Sequence, residues 1–216
     1  MTNTLTIMSK ILFIDMVTTG IGPETNRYGI YRMGGILTED GVERERFELK
    51  IRPFPGARIV DSSLWVTGSS HSELLYSEEE GAAFMRFIEL LDSHVNVRNA
   101  ADKLVIAGFN AASLDVPFLK ELFRRNDNPH FRDYFRYQCI DIASVCAFSL
   151  MKGRPDLKDF HLESAARSLG VVPSHGDGYS CIDNAKTCLD IYRRLSVRFG
   201  IAGVPDLTTA SVTKNF

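Results

Sequence analysis

Apolar residues first gather in Lys10 to Asp15 (K-I-L-F-I-D), a short buried-strand pattern that closes on an acid and runs into Thr18, Thr19 and Gly20. Two further strand-like runs follow, Tyr28 to Leu37 and Val42 to Ile51, with Glu39-Asp40-Gly41 between them. Asp-Gly at such a junction signals a hairpin, so the first three strands are expected to be antiparallel. In the second run Val42, Arg44 and Arg46 alternate imperfectly with Glu43, Glu45 and Phe47, which predicts a solvent-facing strand. The spacing then predicts a helix from Ser77 to Ser93. Ala83, Phe84, Phe87, Ile88 and Leu91 recur at helical intervals there, and Ser77 with Glu80 reads as a capping box. Lys103 to Ala107 is a fourth, buried strand, and beyond it the pattern is helical over 114–125, 141–150, 160–169 and 182–199. The order β-β-β-α-β-α followed by helices predicts an α/β fold, a mixed sheet with helices packed against it.

Size adds that one domain suffices: 216 residues, 44% hydrophobic, with no linker-like break in composition. The expected domain spans residues 10–200, with 1–9 and 205–216 as flexible tails. The apolar run at Lys10 to Ile14 is too short to span a membrane, and the Thr-rich start lacks the pattern of a signal peptide. A cytoplasmic protein with no membrane partner is expected. The four cysteines agree with that compartment. Cys139 and Cys146, like Cys181 and Cys188, are seven apart, two helical turns and too far to bridge, and no zinc-like spacing occurs. A net charge of −2 supplies no long-range attraction for nucleic acid, which argues against a protein that coats long duplexes. It does not exclude an enzyme that grips a few nucleotides, because bound divalent cations bring positive charge to the point of contact.

Candidate chemistry lies in the aspartates at element ends. Asp15 closes a buried strand, Asp115 follows the end of another and opens a helix, and Asp183 falls in the first turn of the last helix. An isolated acid against an apolar strand is costly, and several brought together repel one another unless a cation intervenes. Each taken alone also reads as a helix cap.

The wording of these segments resembles the DEDD (DnaQ-like) 3′–5′ exonuclease superfamily, of ribonuclease H-like fold. Phe13-Ile14-Asp15-Met16-Val17-Thr18-Thr19-Gly20 resembles the first motif, with valine in place of its glutamate. Val60-Asp61 to Leu64-Trp65-Val66-Thr67-Gly68 is similar to the segment that follows in polymerase-proofreading relatives, including the polymerase III epsilon type. Gly108-Phe109-Asn110 to Leu114-Asp115-Val116-Pro117-Phe118-Leu119 resembles the second motif, with Leu114 for an aromatic. Residues 160–171 resemble the helix before the third motif, and Tyr179-Ser180-Cys181-Ile182-Asp183-Asn184-Ala185 stands where that motif belongs.

The resemblance implies a mixed five-stranded sheet flanked by helices and a metal-dependent 3′–5′ exonuclease. Its Mg2+ or Mn2+ ions would be held by Asp15, Asp115 and Asp183, and Val17, at the fourth position, cannot ligate. It also implies a water-orienting histidine five residues before the last aspartate, or a tyrosine four before it. Tyr179 fits the second spacing and is preferred. His175, in a glycine-flanked loop, is the alternative: a histidine suits general-base work at neutral pH, whereas a tyrosine would mainly orient the water. Thr18, Thr19, Gly20 and Asn110 would meet the terminal nucleotide, and Trp65 or Phe109 could stack on a base. The implied partners are 3′ ends of single-stranded DNA or RNA, and a polymerase or a replication or repair complex. The competing reading is a pseudo-exonuclease that keeps the fold, has lost the metal, and binds nucleic acid or another protein. The remaining histidines (His71, His94, His130, His161) and the pairs Arg124-Arg125, Arg132 with Arg136, and Arg193-Arg194 read as solvated or internally satisfied groups.

Overall fold

The computed structural model describes residues 10–22, 24–150, 159–174 and 179–201. Strands β1 (Lys10–Thr18), β2 (Ile30–Glu39) and β3 (Val42–Arg52) form the expected antiparallel meander. The turn between β2 and β3 is tight because Asp40 and Gly41 both adopt positive φ, 51° and 75°, as a two-residue hairpin that follows the strand twist requires. Two short helices, α1 (Asp61–Trp65) and α2 (His71–Tyr76), precede a two-residue strand β4 (Glu78–Glu79) and the longer α3 (Glu80–His94). Then come β5 (Leu104–Gly108), α4 (Asp115–Arg125), α5 (Phe131–Tyr134), β6 (Phe135–Asp141), α6 (Ile142–Leu150), α7 (Leu162–Ser168) and α8 (Cys181–Arg198).

The sheet order is β4-β3-β2-β1-β5-β6, with β5 parallel to β1 and β6 parallel to β5. Helices make both crossovers, the usual solution for parallel neighbours. The mixed sheet has six strands rather than the expected five. The extra one is β4, which only extends Ile51 and Arg52 of β3. Strand β6 went unread because it has an open side: Tyr137 is 80% exposed, and Gln138 beside it is exposed too.

The helix predicted from Ser77 starts three residues later. Ser77 instead ends α2 and donates its hydroxyl to the Glu73 carbonyl at 2.9 Å, while Glu78 and Glu79 are drawn into the sheet. A cap of the expected kind does exist one helix earlier, where Ser70 Oγ accepts from the Glu73 N–H at 3.2 Å.

Alternation along β1 divides the core. Leu12, Ile14 and Met16 face α3 and α4, packing with Phe84, Phe87, Phe118 and Phe123. Ile11 and Phe13 face α6, α7 and α8, packing with Cys146, Ala166, Cys188 and Leu189. Asp15 and Val17 continue the second face, so the functional part of β1 points toward α8.

The first face is the richer in aromatics. Phe123 meets Phe84 at 5.0 Å, Phe131 at 5.3 Å and Phe135 at 6.2 Å between ring centroids. Phe123→Ala is expected to cost about 3–5 kcal/mol through the cavity it leaves. A urea midpoint unchanged from the parent protein would show that this cluster does not hold the layer together.

Candidate functional site

Asp15 sits just past the stretch of β1 that pairs with β5, which ends at Phe13. The strand's open edge is there met by the start of α4, where the Asp115 carboxylate accepts from the Met16 N–H. Asp115 is 3% exposed, and its Oδ1 is buried without a hydrogen-bond partner. Burial, and next the charge of Asp15, push the Asp115 carboxyl well above the ordinary carboxylate range. Asp141 adds to that field from the end of β6, while its own oxygens cap the Ala112 and Ser144 N–H groups at 3.1 and 3.2 Å. Asp15 and Asp115 thus come together across 100 positions of sequence.

The partners of Asp15 come from the start of α8. Tyr179 donates its hydroxyl to Asp15 Oδ2 at 2.8 Å, Asn184 donates its amide to the same oxygen at 3.3 Å, and the two donors touch at 3.1 Å. The Cys181 side chain, beside them, also favours the charged form of Asp15. Burial raises Asp15, these donors lower it, Glu48 raises it again, and the balance leaves it pushed up to about 6. Tyr179 is itself raised by burial and by the Asp15 charge, so it acts as a proton donor and not as a base.

Gly34 explains how α8 gets so close. It lies opposite Asp15 on β2, and a Cβ there would stand 2.7 Å from the Cys181 Cβ and 3.1 Å from the Ile182 nitrogen. On its other side Gly34 pairs with Glu48 of β3, which puts Asp15 and Glu48 on one face with bare backbone between them. Glu48 accepts from the Cys181 N–H at 3.2 Å, and Ser180 Oγ accepts from the Asp183 N–H at 3.3 Å. Two of the first N–H groups of α8, otherwise orphaned, are thereby satisfied, one by the Glu48 carboxylate and one by the Ser180 hydroxyl.

Asp183 occupies a neighbouring position on the helix. Its carboxylate lies in the field of Arg46 on β3, together with Asp190. The side chain that α8 sends to Asp15 is Asn184. The spacing that locates it was present in the sequence, because Tyr179 stands five residues before Asn184, the interval implied for the histidine subtype. His175 lies outside the described residues.

Val17 shares the face of Asp15 and is 8% exposed, packed with Tyr31, Leu64, Leu74 and Cys181 and against Ile59 and Tyr179. Thr18 Oγ1 donates to the Gly20 carbonyl at 2.9 Å, Thr19 Oγ1 donates to the Arg58 carbonyl at 2.6 Å, and Gly20 lies against the Tyr28 ring. Asn110, exposed and at φ 61°, turns the chain into α4. Arg32 escaped notice in the sequence. It reaches the Tyr179 carbonyl at 3.1 Å while binding Ser69 and Glu73 at 3.0 Å, and so ties α2 to the start of the third motif.

The basic clusters bond within the protein: Arg125 forks onto Glu80 at 2.8 and 2.7 Å, Arg136 donates to the Ala101 carbonyl, and Arg194 donates to the Leu169 carbonyl. His71 meets Asp61 at 2.9 Å and His130 meets Asp133 at 2.7 Å. Phe109 stacks on Phe160 at 6.0 Å.

This donor set does not fit a centre of two divalent cations. Hard cations require several oxygen ligands, and among the described residues Asp15 and Asp115 are joined only by Glu48 and Asp141, which already accept backbone N–H groups, while Asp15 Oδ2 is taken by two hydrogen donors and Val17 is apolar. Among the described residues no group of three or more His, Cys, Asp or Glu side chains could hold a metal ion.

The fold is ribonuclease H-like, a mixed sheet flanked by helices, and it is shared with solved structures of exonuclease I. The structures it resembles include exonuclease I with bound product (TM-score 0.69, 19% identity, 89% of this chain and 44% of that one). They also include the zinc-bound E. coli exonuclease I complex with single-stranded DNA (TM-score 0.71, 18% identity, 90% and 42%) and E. coli exonuclease I with a dA16 oligonucleotide (TM-score 0.66, 19% identity, 88% and 41%). This chain spans less than half the length of those proteins. No protein-family model and no curated protein sequence matches it.

The raised carboxyl of Asp15 carries a pH signature. Its folded value, about 6, lies above the ordinary 3.8, so the native state binds the proton more tightly than the unfolded chain does. That contribution to stability is complete below about pH 4 and is lost as pH rises through 6, and Asp115 acts in the same direction. Asp15→Asn, which keeps the shape and removes the titration, is expected to flatten the fall in unfolding free energy between pH 4 and 7. An equally steep fall in the variant, followed by chemical denaturation, would assign the slope to other groups.

Proposed function

We propose that this chain is a pseudo-exonuclease module that binds the 3′ ends of single-stranded nucleic acid and is impaired in hydrolysis. The observation that carries the reading is the Asp15 carboxylate, which is bonded by Tyr179 and Asn184 beside an apolar Val17, so that the charge and ligands a two-cation centre needs are lacking. Binding is supported by the fold, since its structural neighbours include complexes of exonuclease I with single-stranded DNA and with oligonucleotides. It is further supported by the surface beside the cleft. Leu64 and Leu74 of α1 and α2 pack on Val17, while the same helices leave Trp65 77%, Leu75 67% and Tyr76 90% exposed. Exposed aromatic faces are platforms for unstacked bases. In this reading Thr18, Thr19, Gly20 and Asn110 shape the pocket for the terminal nucleotide.

A second reading, a slow 3′–5′ exonuclease using Mg2+ or Mn2+, is favoured by one observation: the buried, unpartnered Asp115 Oδ1 beside Asp15. In either reading a polymerase or a replication or repair assembly is the setting in which strand ends are presented. No described helix is long and apolar enough to cross a membrane, and a cytoplasmic location suits this work.

Binding and cleavage can be read on one 5′-labelled single-stranded oligonucleotide, by anisotropy and by gel. The expected outcome is binding in EDTA that added Mn2+ does not strengthen, with no shortening of the strand. Shortening in Mn2+ that Asp115→Asn abolishes would establish the enzyme instead. Trp65→Ala is expected to weaken binding by roughly 5- to 150-fold, the range of about 1–3 kcal/mol for one base–aromatic stack. Unchanged affinity in that variant would remove α1 from the binding surface.

A further inference from the structure

We infer that Tyr179, Cys181 and Asn184 hold Asp15 in place of a divalent cation, so that the start of α8 is a hydrogen-bond lock that makes this site independent of metal. The inference rests on the reading of the chain as a binding module and deepens it. Three observations converge on the lock. Tyr179 and Asn184 both donate to Asp15 Oδ2, at 2.8 and 3.3 Å, and they bond each other, so the oxygen a cation would share is filled by neutral donors. The donors are fixed by other elements: Arg32 holds the Tyr179 carbonyl, Glu48 the Cys181 N–H and Ser180 the first turn of the helix. Finally, Gly34 admits the helix to a distance that any side chain at that position would prevent.

The physical substitution is coherent. A carboxylate accepts several hydrogen bonds at once, and bonds to the charged form are stronger than those between neutral groups. The Tyr179 and Asn184 donors can therefore replace part of what an ion supplies to Asp15, although Asp115 and Glu48 still repel it. Val17 completes the arrangement, since an ion between Asp15 and an apolar side chain would lack ligands on that side. Tyr179, Cys181 and Asn184 are positioning residues in this account and carry no reaction step.

The test uses the full chain stripped with EDTA and titrated with Mn2+, read by calorimetry and by thermal unfolding. The parent protein is expected to show neither heat of binding nor a rise in Tm up to about 1 mM. Asn184→Asp, nearly the same shape, exchanges a donor for an acid and should bind Mn2+ at least roughly tenfold more tightly, and the double change Val17→Glu with Asn184→Asp more tightly again. Asn184→Leu should lower Tm without gaining any response to Mn2+, which separates the loss of packing from the gain of a ligand. Should the double variant fail to fold, the single Asn184→Asp change decides the matter. Parent protein that binds Mn2+ as tightly as Asn184→Asp overturns the lock. Oligonucleotide affinity in EDTA is measured on the same samples: its absence sinks the binding-module reading, while the Mn2+ result still stands or falls by itself.

Discussion

Everything at this site depends on how closely the N-terminus of α8 approaches the face of the sheet. A helix packed on a strand normally rests on side chains, but here it rests on the backbone of Gly34, with Cys181 directly above the missing Cβ. The few ångströms gained allow a side chain as short as asparagine to touch Asp15, and let Glu48, two strands away, accept a helix N–H. Register supplies the rest. Asp15, Gly34 and Glu48 lie in one row across three strands, acid, gap, acid, and the positive end of an 18-residue helix fits the gap.

Magnitudes favour hydrogen bonds over an ion in this geometry. Desolvation dominates at both acids, leaving Asp15 at about 6 and Asp115 well above the ordinary carboxylate range. A cation would reverse that, but only if enough oxygens surrounded it to replace its water. With Asp15 Oδ2 engaged and Val17 offering methyl groups, the cost of stripping the ion is not recovered. Donors already attached to the helix require no such stripping, and their ordering is shared with the packing of α8 against β1 and β2.

The fold was legible wherever side-chain period alone decides it. The hairpin at Asp40-Gly41, the buried β1 and the amphipathic α3 all follow from local pattern, and the structure bears them out. The cap at Ser77 was misread because Ser70-x-x-Glu73 offers the same signature seven residues earlier, and because β4 forms by pairing with β3, a contact distant in sequence. Within the site, Asp15 and Asp115 could be named because each closes or opens an element. The choice between Asp183 and Asn184 is harder: adjacent residues on a helix point about 100° apart, so the answer depends on where α8 begins and how it is rotated. Chemical preference for an acid pointed to Asp183, but the rotation set by Cys181 over Gly34 delivers Asn184. Glu48 was out of reach of local reasoning, since only cross-strand register brings it near Asp15.

Val17 shows why these departures belong together. It is packed with Tyr31, Leu64, Leu74 and Cys181, an apolar pocket in which a lone carboxylate would be heavily penalised. An acid there is tolerable only while a cation neutralises it, and a cation is held only while enough acids surround it. Either partner without the other is worse than having neither. A chain that drops the ion is therefore pressed to drop the acid as well, and to give Asp15 other company. On the proposed reading, valine at 17, asparagine at 184 and a tyrosine hydroxyl on Asp15 are that single adjustment seen from three side chains. The two main core clusters lie away from it and keep their packing, so the sheet can persist whichever chemistry the cleft retains.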